Sequence, residues 1–166
     1  LLNGVFYNRL TNSDGIAKLN INLEPGKYIL TAYNPYGNFA ESFTITVLPI
    51  IMGEDIVKYY RNDTQYYVQL LDDTGNPLTN ADVTMNINGV FYIRKTNDLG
   101  LAKLNINLNP GEYILTAYHP NGLACSNKIT VLPILKVDDL VMKYKDGSRF
   151  KALLLDGRGL PSANKS

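Results

Sequence analysis

Apolar and polar residues alternate with a period of two wherever this chain is not turning. Ala102, Leu104, Ile106 and Leu108 point one way while Lys103, Asn105 and Asn107 point the other. Val83, Met85 and Ile87 oppose Thr84, Asn86 and Asn88, and Tyr66, Val68 and Leu70 alternate with Tyr67, Gln69 and Leu71. Such alternation predicts strands with one buried face. Turn signals separate the segments: Asp72-Asp73-Thr74-Gly75-Asn76-Pro77, Asn88-Gly89, Thr96-Asn97-Asp98-Leu99-Gly100, Asn109-Pro110-Gly111 and Pro120-Asn121-Gly122. The pattern predicts seven strands, near 54–60, 64–72, 81–88, 90–96, 101–108, 113–119 and 126–132. No stretch keeps helical periodicity for three turns. Seven short strands in about 84 residues indicate an all-β, antiparallel sandwich of immunoglobulin type.

The pattern also repeats. AKLNINLEPGKYILTAY from Ala17 returns as AKLNINLNPGEYILTAY from Ala102, with Glu24/Asn109 and Lys27/Glu112 the only differences. ITVLPI at Ile45 returns at Ile129, and the stretch from Asp55 resembles the one from Asp139; both shifts are 84 positions (129 − 45, 139 − 55). Three pieces follow. Residues 1–50 read as the C-terminal part of an Ig-like repeat, 51–134 as a complete repeat, and 135–166 as the N-terminal part of the next. Strand edges and apolar surface left without partners are unfavourable. The expectation is therefore a slice of a longer array, or copies pairing end to end; closure within one molecule is the third arrangement.

Leu-x-Pro-Gly-x-Tyr sets a tyrosine just after a tight turn at the start of the penultimate strand, where sandwiches place a tyrosine corner. Tyr28 and Tyr113 take this role, with Gly26 and Gly111 as the turn glycines. Between repeats, Leu48-Pro49 and Leu132-Pro133 lie in apolar, proline-stiffened junctions, unlike a Gly/Ser-rich linker. These junction residues are expected to pack between consecutive domains, as in a semi-rigid rod.

TNxDGxAKLNINLxPGxYxxTAYxP, then xNxITVLP and DxVKYYxNxTQYxVxLLDxxGxPL, resembles the bacterial-type Ig-like repeats of methanogen adhesin-like surface proteins. The resemblance covers essentially the whole chain, and it implies a secreted, surface-attached array.

A net charge of +1 gives no basic face for nucleic acid or an anionic membrane. No run approaches the roughly 18 apolar residues of a membrane span. Cys125 is the single cysteine and His119 the single histidine, matched by Asn34 in the other copy, so neither a disulfide, a cysteine zinc site nor a triad is expected. Asn/Asp-Gly loops at Thr11–Gly15 and Thr96–Gly100 offer one carboxylate each, too few for calcium, and read as turns. We expect no cofactor and no enzyme activity. A Lys58–Asn127 crosslink helped by Asp82 is not expected, because Lys58 is matched by Met142 and Asn127 by Ser42 or Glu41; all three read as exposed polar residues.

Asn62-Asp63-Thr64 and Asn164-Lys165-Ser166 match the N-glycosylation acceptor pattern. Asn20, Asn22, Asn105 and Asn107, together with Tyr33 and Tyr118, form the candidate interaction face for a lateral neighbour or a glycan. The functional expectation is an extracellular, cell-surface stalk or filament segment whose partners are neighbouring repeats of the same or identical chains. The alternatives are a self-assembling fibre subunit and a carbohydrate-binding adhesive module that meets surface glycans or other cells.

Overall fold

A computed structural model describes residues 1–166, which form two compact units, Leu1–Pro49 and Ile50–Ser166. The chain is all-β. In the first unit, β1 (Gly26–Tyr33) and β2 (Ala40–Val47) pair as an antiparallel hairpin in the register Gly26↔Val47 to Tyr33↔Ala40. Leu2 is buried against it through a bridge to Leu30.

The second unit holds an immunoglobulin-like sandwich. Its strands are β3 (Ile51–Gly53), β4 (Ile56–Tyr59), β5 (Gln65–Leu70), β6 (Asp82–Ile87), β7 (Val90–Lys95), β8 (Leu101–Asn105), β9 (Gly111–Tyr118) and β10 (Ala124–Leu132). One sheet has the order β4-β10-β9-β6-β7 and the other β3-β5-β8. A further hairpin, β11 (Leu135–Val137) with β12 (Ala152–Leu154), follows in the same unit.

The alternation read from sequence becomes the core. Tyr66, Val68 and Leu70 of β5 and Ala102, Leu104 and Ile106 along β8 face Val83, Met85 and Ile87 of β6, with Leu115, Ala117, Ile129 and Val131 from β9 and β10. All are buried, while Lys103, Asn105 and Asn107 stay exposed. Removing this apolar surface from water is the main favourable term of the fold.

Two expectations need correction. The strand predicted near 54–60 is β4, and the short β3 before it, Ile51–Gly53, was not predicted. The chain leaves the three-stranded sheet after Gly53 and joins the five-stranded one at Ile56, giving eight strands where seven were expected. The sandwich is also not wholly antiparallel, since β4 runs parallel to β10 from Ile56↔Ile129 to Tyr59↔Leu132.

The duplicated sentence does not fold alike in its two places. Ala102–Asn105 lies in β8 because β5 pairs with it, Val68 opposite Ala102. Ala17–Asn20 has the same sequence but no strand beside it in the first unit, and forms none. A strand is made by its partner as much as by its own pattern.

Candidate functional site

Two constellations set the mechanics of the second unit. The first lies where the chain crosses between sheets. The Asp55 carboxylate Oδ1 accepts the Lys128 backbone N–H at 2.9 Å and Asn127 Nδ2 at 3.0 Å, fastening the crossing segment to β10. Asn127 Nδ2 also donates to the Gly53 carbonyl at 3.1 Å, and its Oδ1 accepts the Tyr66 hydroxyl at 2.6 Å. Burial pushes that phenol well above the usual tyrosine range, so it remains a donor. A Cβ on Gly53 would fall within 3.0 Å of both the Tyr66 hydroxyl and Asn127 Oδ1, so only glycine lets the backbone pass.

The Lys128 amide and then the Asn127 amide hold Asp55 below the ordinary carboxylate value of 3.8. A depressed folded value stabilises the fold above the unfolded pKa, and the contribution is lost as pH falls through the folded value. Asp55→Asn keeps an acceptor at Oδ1 and removes the titration. In urea melts below pH about 4, the variant is expected to lose less stability on acidification than the parent; equal losses would exclude Asp55 as a source of acid sensitivity.

Lys58 and Asn127 are buried, at 4% and 8% exposure, and so are not the exposed polar residues expected. The Lys58 Nζ donates to the carbonyls of Ile106 at 2.8 Å and Thr64 at 3.2 Å, and desolvation lowers its pKa. In the ladder it faces Val131, four residues along β10 from Asn127, or roughly 13 Å at about 3.3 Å per residue. The two side chains serve separate purposes. Asp82 is exposed and pairs with Lys95 at 2.9 Å. The register also corrects the alignment: Asn127 opposes Leu115 as Phe43 opposes Leu30, so its counterpart is Phe43 rather than Ser42 or Glu41.

The second constellation joins the complete repeat to residues 135–166. Leu155 N–H donates to the Ile134 carbonyl at 2.6 Å, as Leu71 N–H does to Ile50 at 2.8 Å. The turn that follows is built on Asp156, whose Oδ1 accepts the Arg158 and Leu160 amides at 2.9 and 3.1 Å. Its carboxyl is held below the usual range, chiefly by the Leu160 amide and then by the Arg158 side chain. This turn rests on the loop after β4. Asn62 Nδ2 donates to the Gly157 carbonyl at 2.5 Å, and the Tyr59 ring lies so close to Gly159 that a Cβ there would overlap it. Glycine at 157 and 159 brings backbone onto backbone and ring.

Asn62 Oδ1 meanwhile accepts the Thr64 amide at 2.8 Å and the Thr64 hydroxyl. A glycan on Nδ2 would take one of its two N–H groups and leave a single hydrogen for the bond to Gly157. Asn164 is exposed with φ 57°, the conformation of Asn80 one repeat earlier (164 − 84 = 80).

The apolar junction residues are only partly covered: Leu48 is 74% exposed, Pro49 and Pro133 are exposed, and Leu132 is half-buried. Two contacts join the repeats in this unit: the Ile134 carbonyl beside Pro133 accepts Leu155 N–H, and the Asp156 turn rests on Asn62 and Tyr59. The one hint in the sequence was Gly157 standing where the complete repeat has Asp73 (157 − 84 = 73).

Tyr28 and Tyr113 donate their hydroxyls to the carbonyls of Glu24 and Asn109, each at 2.7 Å and four residues upstream. Gly26 and Gly111 open β1 and β9 at φ 157° and 155°, beside those rings. Tyr113→Phe is expected to cost about 1 kcal/mol in chemical denaturation; an unchanged midpoint would show that the bond does not stabilise the turn.

The candidate interaction face is not one face. Asn105 projects from β8 in the three-stranded sheet, where its Oδ1 binds Gln65 Nε2. Tyr118 lies on β9 in the five-stranded sheet, Asn107 is exposed beyond the end of β8, and Asn20 and Asn22 are exposed outside any strand. Tyr33 is exposed on β1.

Loop side chains hold the backbone. Asn12 and Asn97 Oδ1 each accept two amides of their own turns, and His119 Nδ1 accepts the Asn121 amide while Nε2 meets the Leu71 carbonyl at 2.8 Å. With Nδ1 the acceptor, the proton sits on Nε2. A groove of about 490 Å³ along Met52–Ile56, Gln65, Tyr67, Gln69 and Leu101 has its amides engaged too, Gln65 with Asn105 and Gln69 with the Leu99 carbonyl.

No protein-family model and no curated protein matches the chain. Among solved structures it is similar to a Bacteroides ovatus protein of the mixed-linkage glucan utilization locus, SGBP-B, in complex with a mixed-linkage heptasaccharide, at 14% identity and TM-score 0.38 over 82% of this chain. It is also similar to the surface-layer protein SbsC, to domains 4 and 5 at 15% identity and TM-score 0.37 over 65% of this chain, and to domains 4–9 at 12% and 0.35 over 93%. The chain spans 38%, 66% and 31% of those three chains.

Proposed function

We propose that this chain is a non-enzymatic structural segment of an extracellular repeat protein, a stalk or filament of Ig-like domains at a cell surface, of the methanogen adhesin-like kind. The observation that carries the reading is the junction in the second unit. There the Asp156 turn of residues 135–166 sits on Tyr59 and Asn62 of the complete repeat. A module that acts by spacing needs contacts that fix one repeat against the next, and nearest-neighbour contacts of this kind define a semi-rigid array. The side chains best suited to chemistry serve the framework instead: His119 and Lys58 bind backbone carbonyls, and Asp55 binds a backbone amide.

The test is a pair of spin labels, one in the complete repeat and one within residues 135–166, read as an interlabel distance distribution. The native chain is expected to give a narrow distribution. Gly159→Val, which drives a side chain into the Tyr59 ring, should broaden it strongly. Asn62→Ala, which removes one bond of about 1 kcal/mol, should broaden it less. A distribution already broad in the native chain would remove the mechanical reading.

A further inference from the structure

The outer face of the five-stranded sheet has no part in the core, and apart from Tyr59 on β4 none in the junction just described, yet it is not an ordinary wet face. Outward positions of an antiparallel sheet normally carry polar side chains. Here Phe91 is 66% exposed, Ile93 63%, Ile114 60% and Tyr118 38%. The register gathers them: Tyr118 stands opposite Thr84, which in turn pairs with Ile93, while Thr116, Asn86 and Phe91 form the next row. The apolar side chains stand on β7 and β9, with Thr84 and Asn86 of β6 between them, and exposed apolar groups clustered in this way mark an interaction site.

The first unit presents part of the same pattern on its two-stranded hairpin, with Asn8 in the position of Ile93 (93 − 85 = 8). Phe6, Ile29 and Tyr33 are 71%, 59% and 58% exposed, and the Phe6 and Tyr33 ring centroids lie 6.2 Å apart. The cross-strand bond Thr116–Ser126, 2.9 Å, recurs as Thr31–Ser42 at the same length. The chain therefore carries Phe91, Ile114 and Tyr118 of this face a second time, as Phe6, Ile29 and Tyr33.

Charge selects between partners. Glu112 and Lys128 sit together on the face of the second unit, 3.0 Å apart, and Asp82 and Lys95 lie at its diagonally opposite corner, 2.9 Å apart, so the face is neutral overall. In the first unit the position of Glu112 is held by Lys27, the one charge reversal between two otherwise near-identical strands. A face with Lys27 complements a face with Glu112. The outer edge of β7 ends in Arg94 and Lys95, charges that discourage strand addition at that edge.

We propose that this face docks a second copy of the chain, the first unit of one molecule on the second unit of the other, with Lys27 opposite Glu112. The proposal goes beyond the end-to-end junction and is tested apart from it, because interlabel distances within one chain do not depend on lateral association.

Sedimentation velocity of the full 166-residue chain over a concentration series up to about 100 µM reads the outcome, with circular dichroism confirming that each variant is folded. Concentration-dependent dimers are expected. Phe91→Ser with Ile93→Ser should weaken association by roughly tenfold or more. Glu112→Lys should weaken it severalfold, and Lys27→Glu combined with Glu112→Lys should restore it. A chain that stays monomeric throughout, because another protein or a glycan uses this face, overturns the proposal. So does association indifferent to the Ser variants, or a charge exchange that fails to rescue.

Discussion

Asn127→Ala is expected to lower the unfolding free energy of the second unit by about 3 kcal/mol, read from urea denaturation of the full chain followed by far-ultraviolet circular dichroism. The side chain makes three strong bonds at once, to the Tyr66 hydroxyl, the Gly53 carbonyl and the Asp55 carboxylate, and its Oδ1 also accepts the Cys125 thiol at 3.6 Å. Each is worth about 1 kcal/mol net, and a buried group left without a partner costs about 1–3 kcal/mol more. Tyr66 is fully buried, so its hydroxyl has no water to turn to. Tyr66→Phe should cost less, about 1 kcal/mol, because it removes the donor and leaves Asn127 bonded to Gly53 and Asp55. The double variant should cost clearly less than the sum of the two, since both delete the same bond. Additive losses, or an Asn127→Ala effect below about 1 kcal/mol, would show that water reaches the cluster and that it does not fasten the crossing strand.

The parts of the fold legible in the sequence were those set by local pattern. Val83, Met85 and Ile87 alternate in the sequence and are buried in the structure, as do Ala102, Leu104 and Ile106. The illegible parts depend on residues far apart in the chain. Asp55 finds Asn127 across 72 positions, and Lys58 finds the Ile106 carbonyl across 48. No window of sequence contains both members of either pair, so a lysine and an asparagine that close the core look like solvated residues. The same holds for strand formation. Ala17–Asn20 and Ala102–Asn105 are identical, and only the second has β5 alongside.

The site was less legible than the fold, for a related reason. Asn105 and Tyr118 both face outward, which alternation shows, but they face outward from different sheets, which only strand order shows. The junction was placed at proline, and the Ile134 carbonyl beside Pro133 does meet Leu155, but the turn contacts at Gly157 and Gly159 depend on the distant Asn62 and Tyr59.

Gly53→Val is expected to destabilise the second unit by about 3 kcal/mol or more, because its Cβ would enter the space of both the Tyr66 hydroxyl and Asn127 Oδ1. The two partial repeats carry apolar residues at these positions, each exposed where it stands, Phe43 at 52%, Val137 at 52% and Phe150 at 62%. One repeat later, the position of Gly53 holds Val137 and that of Tyr66 holds Phe150 (53 + 84, 66 + 84), while the strand register gives Asn127 the counterpart Phe43 in the first unit. Valine thus stands where the hydroxyl is missing, and an apolar ring replaces the amide. A buried polar cluster and an apolar packing of similar volume are alternative solutions at one site, and converting every member together removes the unpaired groups that a single change leaves. The triple variant Gly53→Val, Tyr66→Phe, Asn127→Phe should therefore recover more than half of the stability lost by Gly53→Val alone. In the single variant Asp55 and its neighbours are forced apart; in the triple variant Asp55 keeps only the Lys128 amide. Denaturation curves for the two variants, run beside the parent, decide the matter. A triple variant no more stable than Gly53→Val would mean that the clash is with the backbone of the crossing segment and not with the Tyr66–Asn127 pair.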